Sequence, residues 1–113
     1  MEKFMFIFHG GQADQLSPEQ MQEHFGKWMG WVDSLSKSGK YVSGEPLLPG
    51  GKLVSGKNKS VTDGPYTEGK EVVGGYFLVN AKDINEAVAI CEDYPDFESG
   101  GTIQVRQVMK MDF

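Results

Sequence analysis

The sequence predicts an α+β fold in a single domain, residues 1–113, with an antiparallel sheet and two helices packed on one of its faces. Three observations carry this expectation. Strand-like and helix-like segments follow one another as strand–helix–strand, strand–helix–strand. Each helical segment opens on a capping box. The first strand is apolar on both faces, as expected of a strand inside a covered sheet.

Lys3 to His9 alternates Phe4, Phe6 and Phe8 with Met5 and Ile7, so neither face is polar. The first helix starts at Ser17, an N-cap followed by Pro18 at the first helical position and Gln20 at the third, with Leu16 and Met21 at the positions of a hydrophobic staple. It runs to about Ser38, where Gly39 supplies the left-handed residue that ends helices. Met21, Phe25, Trp28, Met29, Val32 and Leu35 recur at helical spacing as its expected buried stripe. His24 and Trp31 fall together at the stripe's edge and widen the apolar sector to about 160°, more than one sheet face requires.

Tyr41 to Leu48 reads as a strand interrupted near Gly44 and Pro46. Leu53–Ser55 and Ser60–Thr62 pair as a small hairpin around Gly56 to Lys59. Val72 to Asn80 is a strand. Asp83 and Glu86 cap a second helix whose Ile84, Ala87, Val88, Cys91 and Tyr94 form one face, and Pro95 ends it. Thr102 to Met109 is the last strand. The whole is a ferredoxin-like split βαβ arrangement. Phe4, Phe6, Phe8 and alternate residues of the Tyr76–Asn80 strand are expected on the face away from the helices. That face is too apolar to stay wet, and stacking two such sheets in a homodimer covers it.

Composition narrows the function. At 113 residues with 39% hydrophobic content the chain builds one real core, and a formal net charge of −5 argues against a nucleic-acid partner. Charge is uneven: between Lys40 and Lys70 five lysines stand against Glu45, Asp63 and Glu68, while from Lys82 to Glu98 six acids stand against one lysine. Both stretches read as solvated surface. The lone Cys91 permits no internal disulfide and reads as a packing thiol. The short apolar run at the start lacks the length of a signal-peptide core, and no segment approaches membrane-spanning length, so a cytoplasmic location is expected. Two histidines and one cysteine show no metal-ligand spacing, and the glycine-rich tracts lack phosphate-loop and dinucleotide fingerprints, so no metal or cofactor is expected.

One stretch is distinctive. Asp63-Gly64-Pro65-Tyr66 leads through Lys70-Glu71 into Val72-Val73-Gly74-Gly75-Tyr76-Phe77. This order resembles the DGPF signature of the YCII-related family, with Tyr66 in place of Phe, and the likeness extends over nearly the whole chain. The resemblance implies a dimeric α+β barrel enclosing a small-molecule cavity. It also implies a His–Asp pair with the histidine on the first helix; counting back from Gly39, that position falls on Trp28, one turn from His24.

Several residues are candidates for chemistry. Asp-Gly-Pro is good turn chemistry in its own right, and such a turn also serves to hold the Asp63 carboxylate as an acceptor or general base. His24, beside Trp28 and Trp31, is either an edge histidine or a base tuned by burial. Lys70 and Glu71 alternate at a strand entry, so one of them points toward a cavity; an inward Lys70 would anchor a carboxylate or phenolate. Gly74-Gly75 signals a bulge or a close backbone approach. His9 ends a strand beside two glycines. With Glu45 and Tyr76, these make a ligand-contact set of His9, Trp28, Trp31, Glu45, Lys70 and Tyr76, with Asp63 and His24 as acid–base residues.

Two functions follow. The first is proton-transfer chemistry, elimination or isomerisation, on a small oxygenated organic acid, phenol or lactone, as the resemblance implies for dehydrochlorinase-type members. The second is a non-catalytic, ligand-sensing dimer, for which the resemblance implies an extracytoplasmic-function sigma factor as partner.

Overall fold

Strand β1 (Glu2–His9) occupies the interior of a four-stranded antiparallel sheet, between β5 (Val73–Ala81) and β6 (Thr102–Gln107), with β2 (Tyr41–Pro46) paired to the outer side of β5. The computed structural model that gives this arrangement describes residues 1–10, 16–48, 50–63 and 72–111. The order β2-β5-β1-β6 is that of a ferredoxin-like sheet. Two helices, α1 (Pro18–Lys37) and α2 (Ile84–Ile90), the latter extended by a 3₁₀ turn at Cys91–Asp93, cover one face. The expected hairpin is present as a separate two-stranded ribbon, β3 (Lys52–Ser55) with β4 (Ser60–Asp63).

The helix ends form as their sequences dictate. Ser17 Oγ accepts from the Gln20 N–H at 3.2 Å, and Gln20 Oε1 accepts from the Ser17 N–H at 3.0 Å, a reciprocal box that satisfies two otherwise orphaned donors. At the other end Gly39 takes φ +74°. Its N–H reaches Ser36 O at 3.1 Å and the Lys40 N–H reaches Leu35 O at 2.9 Å, the paired bonds of a Schellman motif. In α2 the Asp83 carboxylate accepts from the Glu86 N–H at 2.9 Å, while Glu86 reaches back to the N–H of Lys82, one residue earlier than the box pattern expects.

Gly74-Gly75 produces both anticipated effects. The β1–β5 register breaks where Phe8 faces Gly75 and His9 faces Val73, leaving Gly74 as the extra residue of a bulge. A Cβ at Gly75 would stand 2.8 Å from the Glu45 carbonyl oxygen, so only glycine lets β2 approach here.

Two expectations about faces are corrected. Phe4, Phe6 and Phe8, with Phe77 and Val79, do not face away from the helices but lie beneath them, packed with Trp31, Leu35, Ala87, Ile90, Cys91 and Tyr94 in one core. Both faces of β1 are apolar, and the larger rings take the side that offers the larger partners. The opposite face instead carries the half-buried Met5, Ile7, Tyr76 and Leu78 beside Gln104 and Arg106. The molecule is 18 Å deep along its shortest axis, the depth of one sheet and one helical layer, so nothing within the described residues covers that second face.

The stripe of α1 is likewise rotated from its expected centre. Trp31 and Leu35 are buried and Trp28 and Val32 half-buried, whereas Met21, Phe25 and Met29 are exposed. The His24–Trp28–Trp31–Leu35 edge is the one that meets the sheet. On α2 the buried face comprises Ala87 and Ile90, with Cys91 and Tyr94 beyond, while Ile84 and Val88 point outward. Cys91 is indeed a packing thiol: burial pushes it up to about 11, where it is inert at neutral pH.

Both face assignments are measurable by unfolding. Phe6, 0% exposed, should lose about 3–5 kcal/mol on replacement by alanine. Phe25, 65% exposed, should change by no more than about 0.5 kcal/mol in the same urea titration. Equal losses at the two sites would refute this assignment of the buried face.

Candidate functional site

Five aromatic rings converge where the end of β1 meets the middle of α1. Phe8 has Trp28 at 5.0 Å, Trp31 at 6.0 Å, Phe77 at 4.9 Å and Tyr94 at 5.4 Å between ring centroids. Trp31 belongs to the core: it is 4% exposed and its indole N–H donates to the Ile90 carbonyl at 3.3 Å, tying α1 to α2. Trp28 lies further out and leads to the polar part of the site.

There His24, one turn before Trp28 on α1, meets Asp96. His24 Nε2 is 3.0 Å from Asp96 Oδ1, and the Trp28 indole N–H reaches the same Nε2 at 3.1 Å. The two partner side chains are 19% and 15% exposed, shielded enough to strengthen the contact yet open to solvent at one edge. Asp96 follows the 3₁₀ turn, and its position is built by the backbone around it. Its carbonyl oxygen accepts from the Ser99 N–H at 3.2 Å, Ser99 Oγ at 3.1 Å and the Gly101 N–H at 2.8 Å. A Cβ at Gly101 would lie 2.6 Å from Tyr94 Oη and 3.0 Å from Asp96 Cβ, so glycine is required for this turn to close.

Burial is the dominant influence on Asp96 and holds its carboxyl above the ordinary value of 3.8; His24 and the Trp28 N–H pull it back by less. Burial and the nearby Asp96 together push the Tyr94 hydroxyl far above its usual range, so it stays protonated. The arrangement is an imidazole and a carboxylate sharing one short contact under an aromatic roof, able to hold, accept or release a proton.

The other residues read from the sequence are distributed differently. Glu45 and Tyr76 are brought together, with Tyr76 Oη 3.5 Å from Glu45 Oε2, but on the open face of the sheet. His9 ends β1 opposite Thr102 and Val73. Asp63 closes the ribbon opposite Lys52, with which it forms an ion pair, its side chain 90% exposed. Lys70 and the Gly64–Glu71 part of the signature lie outside the described residues. Among the described residues no three His, Cys, Asp or Glu side chains gather in a way that could hold a metal ion, and no helix is long and apolar enough to cross a membrane.

Asp96 is the residue that sequence reading missed. It sits in the acidic stretch from Lys82 to Glu98, where each carboxylate reads as surface. The available signal was its setting, Tyr94-Pro95-Asp96-Phe97 followed by Gly100-Gly101: an acid enclosed by aromatic residues in a turn that only glycine can close.

The YCII-related domain matches residues 3–112. The chain belongs to the YCII-related domain family. No curated protein sequence matches it. Among solved structures it is similar to 5-chloro-2-hydroxyhydroquinone dehydrochlorinase from Burkholderia phenoliruptrix, in complex with 2,5-dihydroxybenzoquinone, at 15% identity and a TM-score of 0.51 over 94% of this chain and 93% of that one. At that identity the likeness establishes the fold. The histidine on α1 of this YCII-related chain is His24, and Trp28, one turn on, donates its indole N–H to it.

The buried carboxyl has a consequence for stability. Its folded-state value lies above the unfolded one, so Asp96 favours the native state below the unfolded value, and that contribution is lost as pH rises through the folded value. At neutral pH Asp96 is therefore a net cost. Asp96→Asn should leave the melting temperature unchanged or higher at pH 7, and its advantage over the parent chain should shrink as pH falls toward 4. A lower melting temperature at pH 7, with no such narrowing, would contradict this.

Proposed function

We propose that this YCII-related protein performs proton-transfer chemistry, elimination or isomerisation, on a small oxygenated organic acid, phenol or lactone, with His24 as the base and Asp96 as its partner. The observation that carries the reading is the 3.0 Å contact between His24 Nε2 and Asp96 Oδ1 beneath the aromatic cluster. When Nε2–H donates to the carboxylate, Nδ1 keeps its lone pair and is the nitrogen left to act. It takes a proton from substrate carbon or oxygen, the Asp96 carboxylate stabilises the imidazolium that forms, and the released electron pair makes the new double bond as a leaving group departs. A dehydrochlorinase of the same fold supports elimination as one such reaction. The half-buried Trp28 is the ring at this edge suited to meet a planar ring or unsaturated acid, and Lys70 is the proposed anchor for its anionic oxygen.

The homodimer belongs to the same proposal. A second copy stacked on the open sheet face would bury Met5, Ile7 and Leu78 and complete a dimeric α+β barrel. The exposed Met21, Phe25 and Met29 on α1 favour one other reading, a protein partner such as a sigma factor held on that helix. Recovery of such a partner by the purified protein, with loss on Phe25→Ser, would support it.

Ligands are to be found by thermal shift across small phenols, hydroxylated carboxylic acids and lactones, since a ligand at 100 times its Kd adds about 2.7 kcal/mol of stability. With any that bind, loss or exchange of a substrate proton in D2O should fall by roughly 10²–10⁴-fold in His24→Gln and in Asp96→Asn. Asp63→Asn, on the exposed ribbon, should keep the parent rate. Undiminished proton transfer in both dyad variants would remove the dyad from the mechanism. Separately, Ile7→Glu should halve the mass measured by light scattering; an unchanged mass would place the dimer contact elsewhere.

A further inference from the structure

We propose that Trp28 decides which nitrogen of His24 carries the ring proton, and so when Nδ1 is free to act. The inference deepens the reading of His24 and Asp96 as a proton-transfer pair and rests on it. Two groups compete for one atom: Nε2 lies 3.1 Å from Trp28 Nε1 and 3.0 Å from Asp96 Oδ1. An indole N–H can only donate. While it donates to Nε2, that nitrogen presents its lone pair and the ring proton sits on Nδ1. Asp96 can then lie 3.0 Å from that nitrogen without charge repulsion only as the neutral carboxylic acid.

The alternative arrangement has Nε2–H donating to the Asp96 carboxylate. Nε2 is no longer an acceptor, and the Trp28 N–H is left to pair with the neighbouring carboxylate or with solvent. Nδ1 is now bare. The second arrangement holds one proton fewer than the first, and that proton is what the site takes up. A proton accepted at Nδ1 gives an imidazolium–carboxylate pair. Passing the Nε2 proton to Asp96, with the indole returning to Nε2, restores the first arrangement and leaves the acquired proton on Nδ1.

The sheet presents Phe8 and Phe77 to Trp28, the turn presents Tyr94 with its hydroxyl protonated, and the ionisable side chain in contact with Asp96 is His24. Trp28 touches the proton-bearing atoms and is a positioning residue. Phenylalanine would preserve its packing and remove only the donor.

The test is nuclear magnetic resonance on the protein without substrate. Nitrogen-15 shifts of the His24 ring, followed across the pH range in which the site takes up its proton, report the ratio of Nδ1–H to Nε2–H forms directly. Trp28→Phe should move the ratio about tenfold toward Nε2–H, and Asp96→Ala should move it toward Nδ1–H. In the parent chain only two indole N–H signals exist. That of Trp28 should shift with the His24 midpoint, while that of Trp31, bonded to Ile90, should stay constant. A tautomer ratio unchanged in both variants, or a Trp28 signal flat through the His24 titration, would overturn the proposal. Because no substrate is involved, such a result would leave the proton-transfer reading intact. The expected tautomer shift in a protein inert toward every ligand would have the opposite meaning.

Discussion

The contact of Phe8 with four other aromatic rings governs much of this structure. Phe8 is the last buried residue of β1 before the bulge, and Trp28, Trp31, Phe77 and Tyr94 reach it from α1, β5 and the end of the α2 segment. Burying an aromatic ring is worth more than burying a Met or Ile side chain, and edge-to-face pairs add to it. The phenylalanine face of β1 therefore captures the helices. That choice fixes the rotation of α1, which brings His24 over the sheet and leaves Phe25 in solvent. It also fixes the end of α2, since Tyr94 must insert beside Phe8, and Asp96 lies two residues on. The dyad is thus a consequence of core packing at one remove.

The parts of the fold legible in the sequence are those determined locally. Ser17, Pro18 and Gln20 are enough to start α1, Gly39 is enough to stop it, and both end as their chemistry predicts because those bonds span three to five residues. The β3–β4 hairpin and the bulge at Gly74 are local in the same sense. The faces are not. On β1 both sets of residues are apolar, so alternation states only that sides exist; which one meets the helices depends on partners far away in the chain. On α1 the apolar sector is so broad that its centre is undetermined by periodicity, and the rings on the sheet settle it.

The site divides along the same line. His24 is readable because it borders tryptophans on an unmistakable helix. Asp96 is not, because its distinguishing property is burial, and burial comes from Tyr94, Gly101 and α1 together. An acid among six in an acidic stretch has the statistics of surface. The turn that clamps its carbonyl, with three donors and a glycine that admits no side chain, holds it half-buried against His24.

The open sheet face proposed for a second copy and the His24–Asp96 pair lie on opposite sides of the sheet. His24, Asp96 and Trp28 lie on the helix side with Phe8 and Phe77, while Met5, Ile7, Leu78 and the Glu45–Tyr76 pair lie on the other. Strand geometry makes the separation strict, since neighbouring residues point to opposite faces. A second copy stacked on the open face would cover Tyr76 and Glu45 and leave the dyad's solvent edge untouched. It would also stiffen β1 and β5 from behind, where Phe8 and Phe77 support Trp28. Loss of the proposed dimer would thus be felt at the dyad as looser support for the indole, with every residue of the site still in place.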